Sequence, residues 1–450
     1  MPSVYLQAFG KARLVARISC RTAVLALFSS MILPQCVAAK LKLHPYSITG
    51  VYLTRNGQLL QALAGRNPGT YWIDGYQMTV SKETRICWHD APLKFGPILN
   101  RDGQSIPKLK ATSPCESAPP GSLMRSAWLQ YLGVQKYNSA LWSMPEMQVV
   151  ASRIDVWRSE DNGNQMQAAP KQTWRNLCAS ASPHELRYPN EGPINVVCDT
   201  KVNSYVENVF SSLLKPSAIT PDAPIAKQET PSFYVVEPFE VRHNYDFEAI
   251  DGSAFRCGIQ GTPCTYQHPH AHSMVHKIVY APDGTVLIAD TALAHLKNEA
   301  EFAALLSYSL AATDQQLVQR LFRAQHFMGG RWSSSGPRNG YWIWQLIRLL
   351  NEQVLRVGIR QMYLAGYDIR YAPFAWSVEQ GKRIKGPVDA PNKHMPWYAT
   401  YAFNAIDQLY PNVDYSKLKR GRAEYRQFLE ELRKADPAAF AAKRQAAGKP

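Results

Sequence analysis

The stretch Glu299–Ala312 reads EAEFAALLSYSLAA, and the interpretation of the whole chain starts from it. Apolar residues recur there at three- and four-residue spacing, which predicts a helix. The acidic Glu299 and Glu301 stand in its first turn, where the helix dipole favours negative charge. The run Thr285–Ala289 just before it is short, apolar and β-branched, and it follows a Pro-Asp-Gly turn. This run predicts a strand that leads into the helix.

This strand, turn and helix resemble the active-site segment of the zinc metallopeptidase family that includes the CAAX prenyl protease, HtpX and BepA. In that family the helix carries a His-Glu-x-x-His motif, whose histidines bind zinc and whose glutamate is catalytic. Aligned with the motif, these three positions fall on Tyr308, Ser309 and Ala312. The resemblance implies a zincin-like scaffold without its zinc-binding side chains.

A second segment resembles the same family. Gln353–Gly358 reads QVLRVG, and the turn Ala365–Asp368 reads AGYD. The family has E-A-D-R-x-G followed by an A-G-Y-D-P turn, and its glutamate is the third zinc ligand. Gln353 occupies that ligand position here. Glu352 is one residue away, and on a helix it points about 100° from the required direction.

The chemistry of these four positions argues against a zinc enzyme. A zincin needs two histidines one helical turn apart, a glutamate that takes a proton from bound water, and a third ligand. Tyrosine is a poor zinc ligand, serine is no base at neutral pH, alanine has no donor atom, and glutamine is neutral. The resemblance therefore implies a non-catalytic protein with no cofactor. Zinc is expected only if the metal site has been rearranged.

A histidine-rich stretch offers the alternative metal site. Imidazole is the commonest protein metal ligand, and four histidines fall within nine residues. They are His268, His270, His272 and His276. Pro269 and the loop-like composition give no reason for preorganised tetrahedral geometry. We expect a hydrated loop that binds metal only adventitiously. The enzyme alternative, a metallopeptidase with a rearranged site, would draw on these histidines or on Glu352.

The N-terminus has the pattern of a secretory signal peptide. Four basic residues precede an apolar stretch, Thr22–Leu33, which ends in Val37–Ala39. We expect cleavage after Ala39 and a periplasmic or secreted protein. No later stretch reaches the length of about 18 apolar residues that a membrane span requires.

Six cysteines remain after that cleavage, an even number that predicts disulfides in an exported chain. Zinc knuckles are excluded because no Cys-x-x-Cys pair exists. Fifteen pairings are possible with six cysteines, and short loop closure favours pairing sequence neighbours. The favoured pairs are Cys87 with Cys115, Cys178 with Cys198, and Cys257 with Cys264.

The net charge is positive but dispersed. The formal charge of +15 falls to +11 when the four bases of the signal peptide are subtracted. A basic excess can favour anionic partners, but bases spread along the chain indicate an ordinary soluble surface. Nucleic acid is not an expected partner, because no recognition motif is present.

The chain divides by composition into an α+β arrangement. Residues 40–158 predict a small antiparallel β-barrel like an oligonucleotide/oligosaccharide-binding domain, with a hairpin at the Asp-Gly pair 74–75. Residues 159–200 predict a disulfide-stapled connector. Residues 201–416 predict a mainly helical zincin-like domain with a small sheet, and 417–450 a basic helical tail.

These expectations lead to one favoured function and two alternatives. The favoured one is an exported, non-catalytic metallopeptidase-like protein that binds a peptide or protein partner of the cell envelope. A groove that pairs with a peptide through main-chain hydrogen bonds can outlast the loss of its metal. The alternatives are a metallopeptidase with a rearranged site, and an envelope- or wall-binding structural protein acting through the N-terminal β-domain.

Overall fold

The fold is taken from a computed structural model of the 450-residue chain. The residues that it describes are 47–54, 57–92, 119, 124, 127–135, 148–158, 173–187, 193–214, 232–238, 240–241, 248–249, 272–273, 278–280, 285–315, 317, 338–379 and 397–440. The predicted signal peptide, 1–39, lies outside them.

The first sheet contains the predicted hairpin. Its strands β2 and β3 pair from Gly69↔Val80 to Ile73↔Tyr76, so that a two-residue loop joins them. Asp74 and Gly75 form this loop with φ of +56° and +76°. Positive φ at both central residues is the requirement of a type I′ turn, which the Asp-Gly pair meets. The six strands are β1 Ser47–Thr54, β2 Gly69–Ile73, β3 Tyr76–Val80, β4 Arg85–Pro92, β5 Ala127–Gln135 and β6 Gln148–Arg158.

This sheet is a curled half-barrel of mixed direction, which corrects the expectation of an antiparallel barrel. The order is β1-β5-β6-β3-β2, and β4 also pairs with β6. Both β3 and β4 pair in parallel with β6. They run in the same direction because the link between them, Ser81–Thr84, does not reverse the chain. The Thr84 side chain holds this link by accepting from the N–H of Ser81 and donating to the carbonyl of Ala151 (2.9 and 2.8 Å). A barrel of the oligonucleotide-binding type stays a prediction.

The connector is stapled as predicted. It contains a helix, α2, and a two-stranded hairpin of β7 and β8. A disulfide joins Cys178 to Cys198. Cys87 is disulfide-bonded too, with a partner outside the described residues. Cys115, Cys257 and Cys264 also lie outside them, so their pairings stay predictions. The bounds are α1 Gly57–Ala64, α2 Trp174–Ala179, β7 Glu185–Leu186 and β8 Ile194–Asn195.

The second sheet is small and precedes the central helices. Its order is β11-β13-β14-β9, with β9 and β14 parallel and the other pairs antiparallel. The strand predicted at 285–289 is β14, and it is buried throughout. A separate pair joins β10 to β12. The bounds are β9 Phe233–Val236, β10 Glu240–Val241, β11 Glu248–Ala249, β12 His272–Ser273, β13 Ile278–Tyr280 and β14 Val286–Ala289.

The helices at the predicted zincin-like segments are present. The helix predicted from residue 299 runs to Asp314, and the one predicted near residues 341–365 covers Arg338–Leu364. The later helices are α3 Thr200–Leu214, α4 Asp290–His295, α5 Glu299–Asp314, α6 Arg338–Leu364, α7 Ala372–Glu379, α8 Trp397–Leu409 and α9 Arg422–Ala435. The protein is thus of mixed α+β class, while a zincin fold stays a prediction.

One hydrophobic core joins the first sheet to the helices. It contains Leu60 of α1 and Ile154 of β6 together with Leu305 of α5 and Val354 of α6, all fully buried. All the described residues fall in one compact unit, Pro45–Pro450. The predicted boundaries near residues 158, 200 and 416 stay predictions. Among the described helices, none has the length and apolar character needed to cross a membrane.

Candidate functional site

The helix α5 is buried on all sides. Phe302, Leu305 and Leu310 are almost fully buried, and so are the serines Ser307 and Ser309. A helix that is apolar all round belongs in a protein interior. The two serines are tolerated because their hydroxyls donate to carbonyls of the preceding turn, those of Ala304 and Leu305 (2.9 and 3.2 Å).

The position that the resemblance aligns with the first zinc ligand is a buried tyrosine. Tyr308 is fully buried, and its hydroxyl donates to the side-chain oxygen of Asn351 on α6. Its ring packs edge-on against Trp376 of α7, with centroids 6.2 Å apart. Ala312, at the second histidine position, is also fully buried. The volume around these positions is therefore filled by neutral side chains that already have packing partners.

The helices α5 and α6 approach closely beside Tyr308, which explains one matched residue of the second segment. A Cβ atom on Gly358 would lie 3.2 Å from the backbone nitrogen of Tyr308 and 3.3 Å from the carbonyl of Ser307. Such distances are tighter than ordinary van der Waals contact. A larger residue at this position would require the two helices to move apart by a few tenths of an ångström, so the helix crossing itself favours glycine.

The residue that the resemblance aligns with the third ligand, Gln353, points elsewhere. The Gln353 side-chain amide donates to the carbonyl of Val51 on β1 at 2.6 Å. Asn351, which bonds Tyr308, lies two residues earlier and so about 200° away around α6. The structure therefore brings the helices of Tyr308 and Gln353 together but directs Gln353 toward the first sheet.

A second glutamine binds the same strand edge. Gln315, just after α5, donates from Nε2 to the carbonyl of Leu53 (3.0 Å), and the N–H of Leu53 donates back to Oε1 (3.1 Å). Gln315 is fully buried. Val51 and Leu53 are two residues apart, so their backbone groups face the same side of β1. We call Gln315 and Gln353 the glutamine clamp.

These positions offer little for metal chemistry. In the part of the chain that the structure describes, no group of three or more His, Cys, Asp or Glu side chains is arranged to hold a metal ion. Of the histidine stretch, His272 lies in β12, and His268, His270 and His276 lie outside the described residues. A rearranged metal site that uses those histidines stays untested.

A buried charge network links the first sheet to α6 and α8. Arg356 of α6 donates to the carboxylate of Asp74 (2.9 Å) and to the hydroxyl of Tyr401 on α8 (2.8 Å). The hydroxyl of Tyr131 on β5 donates to the same carboxylate at 2.5 Å. The Arg356 guanidinium also lies over the Tyr76 ring, 5.0 Å from its centroid. The hairpin turn is thereby fixed to the helices.

Burial controls the protonation of this network. It raises the pKa of Tyr131 well above the ordinary value, and the negative charge of Asp74 raises that pKa further. Burial also raises the pKa values of Tyr76 and Tyr401. Desolvation lowers the pKa of Arg356, but Asp74, Tyr401, Tyr76 and Tyr131 together outweigh this effect, and the pKa stands well above its normal value. The tyrosines stay neutral and the arginine stays charged at all physiological pH values.

Glu299 does more than complement a helix dipole. Its carboxylate accepts from the hydroxyls of Tyr205 and Tyr367 (2.8 and 2.7 Å) and from the ammonium of Lys419 (2.6 Å). The residues of this network come from α3, from α5, from the turn after α6 and from the segment before α9. Lys419 belongs to the predicted basic tail, and the structure places it in this network, half-exposed.

Asp290 is a buried acid at the carboxyl end of β14. Burial raises its pKa to about 9, and the nearby carboxylate of Asp436, just after α9, also raises it. The charge of Glu237, which follows β9, adds to the effect, whereas the backbone N–H of Thr291 opposes it. One oxygen of Asp290 accepts from the N–H of Thr291, and the other, Oδ2, is buried without a hydrogen-bond partner. At neutral pH, Asp290 therefore carries a proton.

Several important residues escaped the sequence analysis. Asn351, Gln315 and Asp290 carry no recognisable motif, and Arg356 was noted only as part of the second resembling segment. The one available signal was Asn351, because a polar side chain in a predicted apolar helix indicates a buried hydrogen-bond partner.

The comparisons with known proteins add no family. Neither a family model nor a curated protein sequence matches this chain. The fold and the site define a mixed α+β protein whose central helices are joined by neutral, buried side chains.

Proposed function

We propose that the chain is a non-catalytic, metallopeptidase-like protein of the cell envelope that binds a peptide or protein partner. The proposal includes export through the signal peptide and cleavage near Ala39. It rests on the resemblance of two segments to one peptidase family and on the state of the four positions that would carry the chemistry.

One observation carries the proposal. The positions of the expected ligands and base are filled by Tyr308, Ser309, Ala312 and Gln353, which are neutral and buried. The three polar side chains among them hydrogen-bond to the protein itself, to Asn351, Leu305 and Val51. Introducing a charge there without a partner would be costly. The surroundings thus favour packing over water activation.

A binding role is supported by the way in which the glutamine clamp binds strand β1. The glutamine clamp holds the edge of an extended strand through the carbonyls of Val51 and Leu53 and the N–H of Leu53. Such contacts use the backbone of the bound strand, which is the mode by which sheet edges recognise extended peptides. In this chain two side-chain amides bind the backbone of β1, in the place of a neighbouring strand.

The test is an assay of peptidase activity. The purified mature chain, from residue 40, is incubated with casein and with a mixture of random peptides, with and without added zinc. The proposal predicts no cleavage above that of a heat-inactivated sample. Cleavage that a zinc chelator abolishes and zinc restores would overturn it.

A further inference from the structure

The outer edge of β9 is covered by a short piece of the connector. The N–H of Val197 donates to the carbonyl of Val235 (2.8 Å), and the N–H of Glu237 donates to the carbonyl of Asn195 (3.0 Å). Val196 faces Val236 in an antiparallel bridge. Residues 195–197, here called the edge segment, thus act as one more strand of the second sheet.

The edge segment is held in place by a covalent bond next to it. Cys198 follows Val197 directly and is bonded to Cys178 at the end of α2. Cys198 is exposed and Cys178 is half-buried. The disulfide is therefore open to reagents in solution, and it anchors the edge segment at its C-terminal end.

The contacts between the edge segment and β9 are mainly backbone contacts. The polar contacts are two main-chain hydrogen bonds and one side-chain hydrogen bond, from the Asn195 amide to the carboxylate of Glu237 (2.8 Å). Val196 and Val197 are about nine-tenths buried, and Asn195 is exposed. Any extended peptide with a donor side chain followed by two small apolar residues can make the same set of contacts.

We propose that the edge of β9 is the acceptor for an extended peptide segment of the partner, and that the edge segment occupies it while the Cys178–Cys198 disulfide is closed. This inference rests on the proposed function and names its binding site. The partner strand pairs antiparallel with Phe233–Val236 and places an amide or basic side chain against Glu237. Tethering keeps the edge segment at high effective concentration, so that it outcompetes a free peptide.

Reduction of the Cys178–Cys198 disulfide is a two-electron step. A dithiol reductant attacks the exposed disulfide and passes through a mixed disulfide. It ends as its own disulfide, while Cys178 and Cys198 each gain one electron and one proton as thiols. The edge segment then loses its covalent anchor and keeps its hydrogen bonds to His184 and Asn203 (2.9 and 2.7 Å). Without the disulfide it exchanges more readily with the partner strand at the backbone groups of Val235 and Glu237.

The probe is a fluorescein-labelled peptide with the sequence of residues 193–197, Pro-Ile-Asn-Val-Val. Its binding to the mature chain is measured by anisotropy for the oxidised protein and for the double variant Cys178→Ser/Cys198→Ser. This variant leaves the other disulfides oxidised, which a reductant would not. We expect at least tenfold tighter binding by the variant. A peptide with proline in place of its last valine lacks the N–H that reaches Val235, and it should not bind.

A second variant covers the case in which the double variant does not fold. Val197→Pro removes the N–H of the edge segment while the disulfide stays closed, and it should also bind the probe at least tenfold more tightly than the parent. Near-UV circular dichroism shows which variant is folded. A folded variant that binds the probe no better than the parent overturns the proposal. That outcome would not change the result of the peptidase assay, which tests the proposed function separately. Cleavage that a chelator abolishes would overturn the proposed non-catalytic function, but it would not overturn the acceptor at β9.

Discussion

Gln315 lies against Leu53 so that its side-chain amide exchanges two hydrogen bonds with the backbone of that residue, 262 positions away in the chain. The amide imitates the backbone of a neighbouring strand, and the edge of β1 is thereby satisfied by a side chain. Unpaired strand edges invite association with other chains. Here the edge is closed and the first sheet is joined to the end of α5 in one contact.

The first prediction concerns this contact. Gln315→Ala removes both partners of Leu53 and leaves a buried N–H and carbonyl unsatisfied. We expect the free energy of unfolding to fall by about 2–6 kcal/mol, since each of the two unsatisfied buried groups costs about 1–3 kcal/mol. Urea unfolding followed by fluorescence measures the change. Gln427→Ala is the matched control on the exposed face of α9 and should change stability by less than about 0.5 kcal/mol. Equal effects of the two changes would contradict the account of the clamp.

The second prediction separates backbone strain from a clash at the hairpin. Gly75 and Gly366 both have positive φ, +76° and +80°. A Cβ atom on Gly75 would lie 2.8 Å from the Cβ of Arg356, whereas a Cβ atom on Gly366 would meet nothing within 4 Å. Both alanine variants should lose roughly 1–2 kcal/mol to the left-handed backbone. Gly75→Ala should lose about 1–3 kcal/mol more from the clash. Thermal or urea unfolding of the pair measures the difference, and equal losses would show that the close approach to α6 is absent.

The third prediction concerns the buried pair of Asp74 and Arg356. Arg356→Met leaves the carboxylate of Asp74 buried without its counter-charge, so unfolding should become easier by about 3–5 kcal/mol. Adding Asp74→Asn removes that stranded charge, and asparagine tolerates the positive φ of the turn. The double variant should therefore be more stable than Arg356→Met alone, as a double-mutant cycle detects.

The control for this cycle is an exposed pair. Lys434 donates to Glu431 on the surface of α9 at 2.9 Å, and Lys434→Ala should cost less than about 1 kcal/mol. If Asp74→Asn and Arg356→Met destabilise additively, the two groups are not coupled and the network described here is wrong.

The fourth prediction is a pH dependence that originates at Asp290. Its pKa rises from 3.8 to about 9 on folding, because burial and the neighbours Asp436 and Glu237 disfavour its charge. The folded state therefore keeps a proton that the unfolded chain releases. From this group, stability is highest below pH 4 and falls as the pH rises toward 9, by up to about 1.4 kcal/mol per pH unit.

Asp290→Asn tests this dependence, because asparagine has nearly the shape of the protonated acid and cannot lose a proton. The difference in unfolding free energy between variant and parent should grow in favour of the variant from pH 5 through pH 7 to pH 8.5. Urea titrations at the three pH values measure it. A difference that stays constant with pH would show that Asp290 is ionised in the folded protein.

Local signals account for what the sequence predicted correctly. The Asp74-Gly75 pair specifies a two-residue turn by itself, and the spacing of apolar residues specifies α5 and α6. The short separation of Cys178 and Cys198, 20 residues, makes their pairing easy to foresee. Each of these features depends on residues close together in the chain.

The features that escaped prediction depend on how distant elements dock. Gln315 and Leu53 are 262 positions apart, and Arg356 and Asp74 are 282 apart. No local pattern encodes such contacts, because they exist only when the first sheet packs on the helices. The parallel direction of β4 was missed for a related reason. The hydroxyl of Thr84, in the link Ser81–Thr84, donates to the carbonyl of Ala151 of β6, which lies 67 positions later, and the chain passes into β4 without reversing.

The central claim, that the zinc chemistry has been replaced by packing, has one direct measurement. The mature chain is purified from medium with added zinc, dialysed against a chelator and then against metal-free buffer, and its zinc is counted by mass spectrometry against protein concentration. The account predicts well below one zinc per chain, because Tyr308, Ala312 and Gln353 supply no ligand set. One tightly held zinc per chain, with peptidase activity that disappears when the zinc is stripped, would contradict it.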